Sequence, residues 1–202
     1  VTFSRVAVTV GGLAAATGLA FLARAMRPQP PMPVYGHMPA LALFDAQKRP
    51  FTGDAMLGHP TVVDFIFTHC TASCPRLTAR MAELQGRLAK EGSATKLVSI
   101  SVDPENDTPD VLAKYAGDNH ADPARWSFVT GPAEEVESVV VKGFKVAATR
   151  EAKGAGETEV VHGDWLVVVD AKGDIRGYYP TSTDEEVAVL WRDLRRIERG
   201  GS

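Results

Sequence analysis

The chain has 202 residues and a formal net charge of -3, with 22 Lys and Arg against 25 Asp and Glu, a near balance that leaves no nucleic-acid footprint. Two cysteines are too few for a disulfide scaffold, and an apolar content of 45% supports a full core without staples. The length reads as one domain with an extension.

Residues 6–23 carry no charge and are rich in Val, Leu, Ala and Gly, with Arg5 before them and Arg24 and Arg27 after. The run is just long enough for a bilayer, which needs about 17–25 residues. It is expected to be an uncleaved anchor; Ala23-Arg24-Ala25 resembles a small-x-small cleavage pattern and keeps a signal segment open. Residues 1–26 are therefore read as a membrane anchor or signal segment. Pro28, Pro30, Pro31, Pro33 and Pro39 make residues 27–39 an extended, semi-rigid linker that does not pack. Residues 40–202 are the folded domain.

Residues 41–44 and 50–52 predict an opening strand pair, and 54–58 a short connection. The apolar run 62–67 predicts a buried strand. It leads into His69, Cys70, Thr71, Ala72, Ser73, Cys74 and Pro75, which contain both cysteines. Pro75 suits the first position of a helix. Leu77, Met81, Leu84 and Leu88 then fall on one face at helical spacing, and Gly92 is the stop. If helical geometry reaches back far enough, Cys70 and Cys74 lie one turn apart at the helix N-terminus, where the dipole favours thiolate. Such a pair can close a disulfide or grip a soft metal. Asp64 stands inside the apolar strand. Burying a carboxylate is costly unless it is paired, so Asp64 reads either as an outward-facing pleat residue or as a pKa-shifted group near the thiols.

Residues 96–102 predict a second core strand, followed by a polar loop from Asp103 to Asp107 whose two aspartates cap and brace it or serve the site. Thr108 caps a helix with Pro109 in its first turn and Val111, Leu112, Tyr115 and Ala116 inward. A strand at 126–129 precedes a helix at 133–142, with Val136, Val139 and Val140 inward and Gly143 ending it. Residues 144–148 read as a strand, and 149–159, charged and glycine-bearing, as a mobile loop. His162 then leads into a strand at 165–169, a turn at 170–174 and a strand at 175–179. Thr183 and Glu186 form a capping box for a last helix with Val187, Leu190, Trp191, Leu194 and Ile197 as its stripe. Trp126, Trp165 and Trp191 fit core positions. Strands alternating with helices, closed by a hairpin and a helix, predict an α/β sandwich. A thiol pair between the first main strand and its helix makes it a thioredoxin-like sandwich with an N-terminal membrane segment.

Three blocks then stand out: Phe67-Thr68-His69-Cys70-x-x-x-Cys74-Pro75, Ser101-Val102-Asp103-Pro104-Glu105-Asn106-Asp107-Thr108-Pro109, and His162, eight residues before Asp170. Together they resemble the Sco/SenC family, membrane-anchored copper proteins that help assemble cytochrome c oxidase. The resemblance runs from about Met38 to Arg195. It implies that Cys70, Cys74 and His162 bind one copper ion, as Cu(I) or Cu(II), a donor set that suits both states. It implies a cell inner membrane protein, single-pass with a periplasmic domain, or a periplasmic one after signal cleavage. The implied partners are the copper subunit of cytochrome c oxidase and another copper chaperone or a thiol reductant, with no nucleic acid. The chain departs from the family pattern at Thr71, Ala72 and Ser73, where Pro and an acidic residue are usual, and at Val161 and Gly163 around the histidine. Such changes alter copper affinity, redox poise or partner choice.

Two functions compete. One is an extracytoplasmic copper chaperone that passes its ion by ligand exchange. The other is an enzyme, a thiol–disulfide oxidoreductase in which Cys70 and Cys74 form the redox disulfide and keep an oxidase's metal-site cysteines reduced. Peroxide reduction fits less well, and copper-dependent redox signalling stays open. His69 reads as a tuner of the thiols or a packing residue; His37, His59 and His120 read as surface histidines.

Overall fold

The computed structural model describes residues 30–69, 74–146, 148–153, 157–162 and 165–200, with only the backbone described for residues 74, 148–153 and 157–162. The chain divides into two compact units, Val1–Pro31 and Met32–Ser202, and the fold below is that of the second. The apolar run 6–23 lies outside the described residues. Among the described residues no helix is long and apolar enough to cross a membrane.

An eight-stranded mixed sheet organises the domain. In chain order the strands are β1 (Gly36–His37), β2 (Leu43–Asp45), β3 (Pro50–Phe51), β4 (Thr61–Ile66), β5 (Lys96–Ser101), β6 (Trp126–Thr130), β9 (Trp165–Val169) and β10 (Asp174–Pro180). Their order across the sheet is β1-β10-β9-β4-β5-β6-β2-β3. β4, β5 and β6 run parallel, and β9 pairs antiparallel with β4 from Thr61 opposite Val169 to Val63 opposite Val167. β4 is buried at all six positions, as a central strand covered on both faces must be.

The helices are α1 (Cys74–Lys90), α2 (Pro109–Asp118), α3 (Ala133–Glu137, continued by a π-helical turn over Ser138–Gly143) and α4 (Asp184–Glu198). Alternation along β4 divides the core. Val62 and Ile66 join Leu77, Met81, Leu84 and Leu88 of α1 with Leu112, Leu190 and Leu194 of α2 and α4. Val63 and Phe65 join Val136, Val139, Val140 and Phe144 on the opposite face. The result is the predicted α/β sandwich, with helices on both faces of one sheet. Local signals act as expected. The Thr108 hydroxyl accepts from the Val111 amide, and Thr183 and Glu186 close a reciprocal capping box. Gly92, at φ 63°, takes the left-handed turn after α1.

Four expectations are corrected. Residues 144–146 do not form a strand: the amides of Phe144 and Val146 bond back to the carbonyls of Val139 and Val140 at the end of α3, and the next strand opens only at Ala148. The stretch read as a mobile loop is instead a separate two-stranded sheet, β7 (Ala148–Lys153) with β8 (Glu157–His162). Its ladder satisfies the backbone locally, so it needs no alternating apolar pattern for the sequence to display. The second half of the proline-rich stretch packs onto the domain: Met32 and Met38 are buried, and Gly36–His37 adds a strand beside β10. Trp165 is 40% exposed rather than part of the core, because it is the first residue of β9, at the open end of that strand.

Candidate metal centre

Cys74 is the first residue of α1 and Pro75 the second, directly after the segment that leaves β4. His162 is the last residue of β8, three positions before β9 joins the sheet. Because β9 is antiparallel to β4, its first residue lies toward the end at which β4 finishes. The topology therefore brings the start of α1 and the end of β8 toward one end of the central strands, the cysteine edge of the sheet. Cys70 and the side chains of Cys74 and His162 lie outside the described residues. Among the described residues no group of three His, Cys, Asp or Glu side chains could hold a metal ion.

What the structure does show is the support beneath this edge. The parallel ladder reaches its last bond where the Val102 amide donates to Ile66 O at 2.8 Å. Beyond it the chain is held by Asp107. The Thr68 amide donates to Asp107 Oδ1 and Oδ2 at 3.3 and 3.1 Å, and the Thr68 hydroxyl to Oδ1 at 2.6 Å. The Ser101 hydroxyl donates to Oδ2 at 2.6 Å, and Asp107 is fully buried. Asp103 braces the same loop: its amide donates to Ser101 Oγ at 3.1 Å, its carbonyl accepts from the Asp107 amide at 2.9 Å, and its carboxylate accepts from Asn106. The two aspartates thus part ways, Asp103 shaping its own turn and Asp107 reaching across to the segment before Cys70. Sequence reasoning left Asp107 either bracing its own loop or serving the site and did not name its partner; the signal available was the Thr68 hydroxyl two residues ahead of the first cysteine.

His69 is exposed, 3.4 Å from the Thr68 hydroxyl through Nδ1. His37, exposed as read, pairs with Asp174 at 3.1 Å at the far edge. Asp64 resolves to the buried alternative. It lies on the α1 side of β4, has no exposed surface, and neither carboxyl oxygen has a hydrogen-bond partner. Burial pushes its pKa up to about 7; the Ser99 hydroxyl across the ladder and its own backbone pull weakly the other way. A cleft of about 630 Å³ opens at the opposite edge, lined by His59, Glu91, Lys172, Arg195 and Glu198. Glu91 pairs there with Arg87 and Arg195, and Glu198 with Arg195, so the two carboxylates of the cleft are already engaged by two cations.

A helix-flanked sheet with a cysteine opening the helix after its central strand defines a thioredoxin-like protein. Within that class the chain belongs to the SCO1/SenC family, whose model matches residues 36–197. The SCO1 protein homolog of Bacillus subtilis is 36% identical over 123 residues, 60% of this chain and 62% of that protein, so the match spans less than two thirds of the relative's length. The structure of Bradyrhizobium japonicum ScoI with copper bound has a TM-score of 0.68 at 25% identity, covering 80% of this chain and 99% of that one. BsSco, a member of the Sco family of cytochrome c oxidase assembly proteins with an identified disulfide switch, has a TM-score of 0.70 at 27% identity, covering 84% and 98%.

Proposed function

We propose that this protein is an extracytoplasmic copper-binding chaperone that delivers copper to the copper centre of cytochrome c oxidase, using Cys70, Cys74 and His162 as ligands. The observation that supports it most is the convergence of the start of α1 and the end of β8 on one edge of a fold shared with a copper-bound relative. The donor set fits the cargo. Two thiolates suit Cu(I), an imidazole also suits Cu(II), and three ligands leave room for an incoming donor from the partner. The N-terminus of a 17-residue helix stabilises negative charge at Cys74. Residues 1–26 serve as anchor or signal segment, placing the domain in the periplasm at the inner membrane; an anchored full chain should stay in membranes after carbonate washing, and release of a shorter species would point to cleavage.

The second reading is a thiol–disulfide reductase, favoured by the disulfide switch of BsSco. One thiolate attacks the target disulfide, forming a mixed disulfide and expelling a target thiolate. The other thiolate then displaces the second target thiolate. The pair is left oxidised, and the target gains two electrons and takes its protons from solvent. Copper titration of the reduced full chain in detergent, read by absorption and EPR, separates the two. One tightly held copper per chain, lost in Cys70→Ala and Cys74→Ala, supports the chaperone, and His162→Ala should remove the nitrogen signature. No copper binding together with a reversible disulfide favours the reductase.

A further inference from the structure

Strand β4 ends at Ile66, yet two residues after Thr68 the first cysteine must stand in a fixed relation to the second. At the far side of this short loop Cys74 is set by α1, whose buried face of Leu77, Met81, Leu84 and Leu88 fixes the helix on the sheet. At the near side Phe67 packs on the core of the opposite face, and Thr68 is gripped through both its amide and its hydroxyl. A single carboxylate therefore fixes both the backbone position and the side-chain rotamer of Thr68. Two residues reach at most about 7 Å, so Cys70 is on a short tether to that anchor.

We propose that Asp107 is a positioning residue for the thiol loop: by clamping Thr68 it sets where Cys70 stands relative to Cys74, and so tunes copper affinity and the dithiol–disulfide equilibrium. The proposal rests on the reading of Cys70 and Cys74 as the working pair. The chemistry of the clamp argues for positioning over bulk stability. Burying a carboxylate costs several kcal/mol unless hydrogen bonds offset it, and an apolar side chain would fill the same volume more cheaply. What a carboxylate adds is direction, because its lone pairs accept only along defined lines. Here they point at Thr68 and at Ser101, the last residue of β5, so the rigid sheet is the reference against which the loop is held. The Asp107 backbone is equally fixed, its amide bonded to Asp103 O and the following Thr108 capping α2.

The test uses the full chain in detergent with Thr68→Val, which removes one hydroxyl at constant shape, Thr68→Ser, which restores it, and Asp107→Asn. Thr68→Val and Asp107→Asn should weaken copper binding by about 10–100-fold, the range for groups that orient metal ligands. They should also shift the thiolate-to-copper charge-transfer band, and Thr68→Ser should return both to wild type. Independently of metal, the equilibrium of the cysteine pair with glutathione should shift by about tenfold, about 30 mV for two electrons. A folded Thr68→Val with wild-type affinity, spectrum and thiol equilibrium overturns the proposal. If wild type binds no copper, the chaperone reading fails, and the thiol equilibrium alone decides the role of Asp107. If Asp107→Asn does not fold, the Thr68 pair decides it.

Discussion

The two edges of the sheet bury carboxylates in opposite ways. At the cysteine edge Asp107 is held by neutral donors, the amide and hydroxyl of Thr68 and the hydroxyl of Ser101. At the other edge, where β9 turns into β10, Asp170 meets a counter-charge: Arg176 Nε donates at 2.7 Å, with the Lys172 and Asp174 amides on the second oxygen. Burial alone would raise the pKa of Asp170, but the two amides and the Arg176 guanidinium outweigh it and hold it below the usual carboxylate range. Separating a buried ion pair strands charge, whereas a hydroxyl donor can be exchanged for water at modest net cost. The ion-paired edge lies away from the cysteines, and the edge held by neutral donors carries the segment that leads into them.

The sharpest way to break this contrast is Arg176→Ala. Both partners are about 5–8% exposed, so the variant leaves Asp170 buried without its cation and should lose roughly 3–5 kcal/mol in urea unfolding, with copper affinity unchanged. A loss of copper affinity in the folded variant would mean that the two edges are coupled.

Asp64, between the edges, has no hydrogen-bond partner within range of its carboxyl oxygens, and its effect should appear as pH dependence. Its folded pKa of about 7 lies above the ordinary 3.8, so the folded state keeps a proton that the unfolded chain releases. This group's contribution is therefore most favourable below pH 3.8, declines as pH rises toward 7, and is flat above. At about 1.36 kcal/mol per pH unit the decline is on the order of 4 kcal/mol at most. Asp64→Asn should remove it, so the variant gains on wild type between pH 5 and 8; parallel stability curves would show that Asp64 is hydrated.

Removing one neutral donor tests the cysteine edge directly. Ser101→Ala should cost roughly 1.5–3 kcal/mol, because a charged acceptor loses a hydrogen bond. A loss as large as that of Arg176→Ala would erase the distinction between the edges. The smallest effect, about 1 kcal/mol, is expected for Thr95→Val, since Glu198 keeps Ser93 and Arg195 as partners when the 2.7 Å bond from Thr95 is gone. Thermal unfolding resolves this from zero.

Strands 62–67 and 96–102 and the helix after Pro75 were legible because burial imposes a period: continuous apolar residues where two faces are covered, and a repeat of three to four where one is. The capping box and the Thr108 cap were legible because their partners are three residues away. The short strand β1 was not, since two residues in a proline-rich stretch show no period and Gly36–His37 is a strand only because β10 is there to receive it. The hairpin of β7 and β8 hid for the same reason, its bonds being satisfied within a polar segment.

The site divides along the same line. The residue types at Cys70, Cys74 and His162 and the spacing of the pair are properties of the sequence, as is the chemistry they favour, because ligand softness and helix-end charge are local. The environment of Asp64 and the reach of Asp107 were decided only by the fold. Whether a carboxylate is solvated, orphaned or clamped depends on what lies across the sheet: the orphaned Asp64 faces Ser99, 35 positions on, and Asp107 grips Thr68, 39 positions back. Burial and hydrogen bonding act through space, and only the packed chain brings such groups within range.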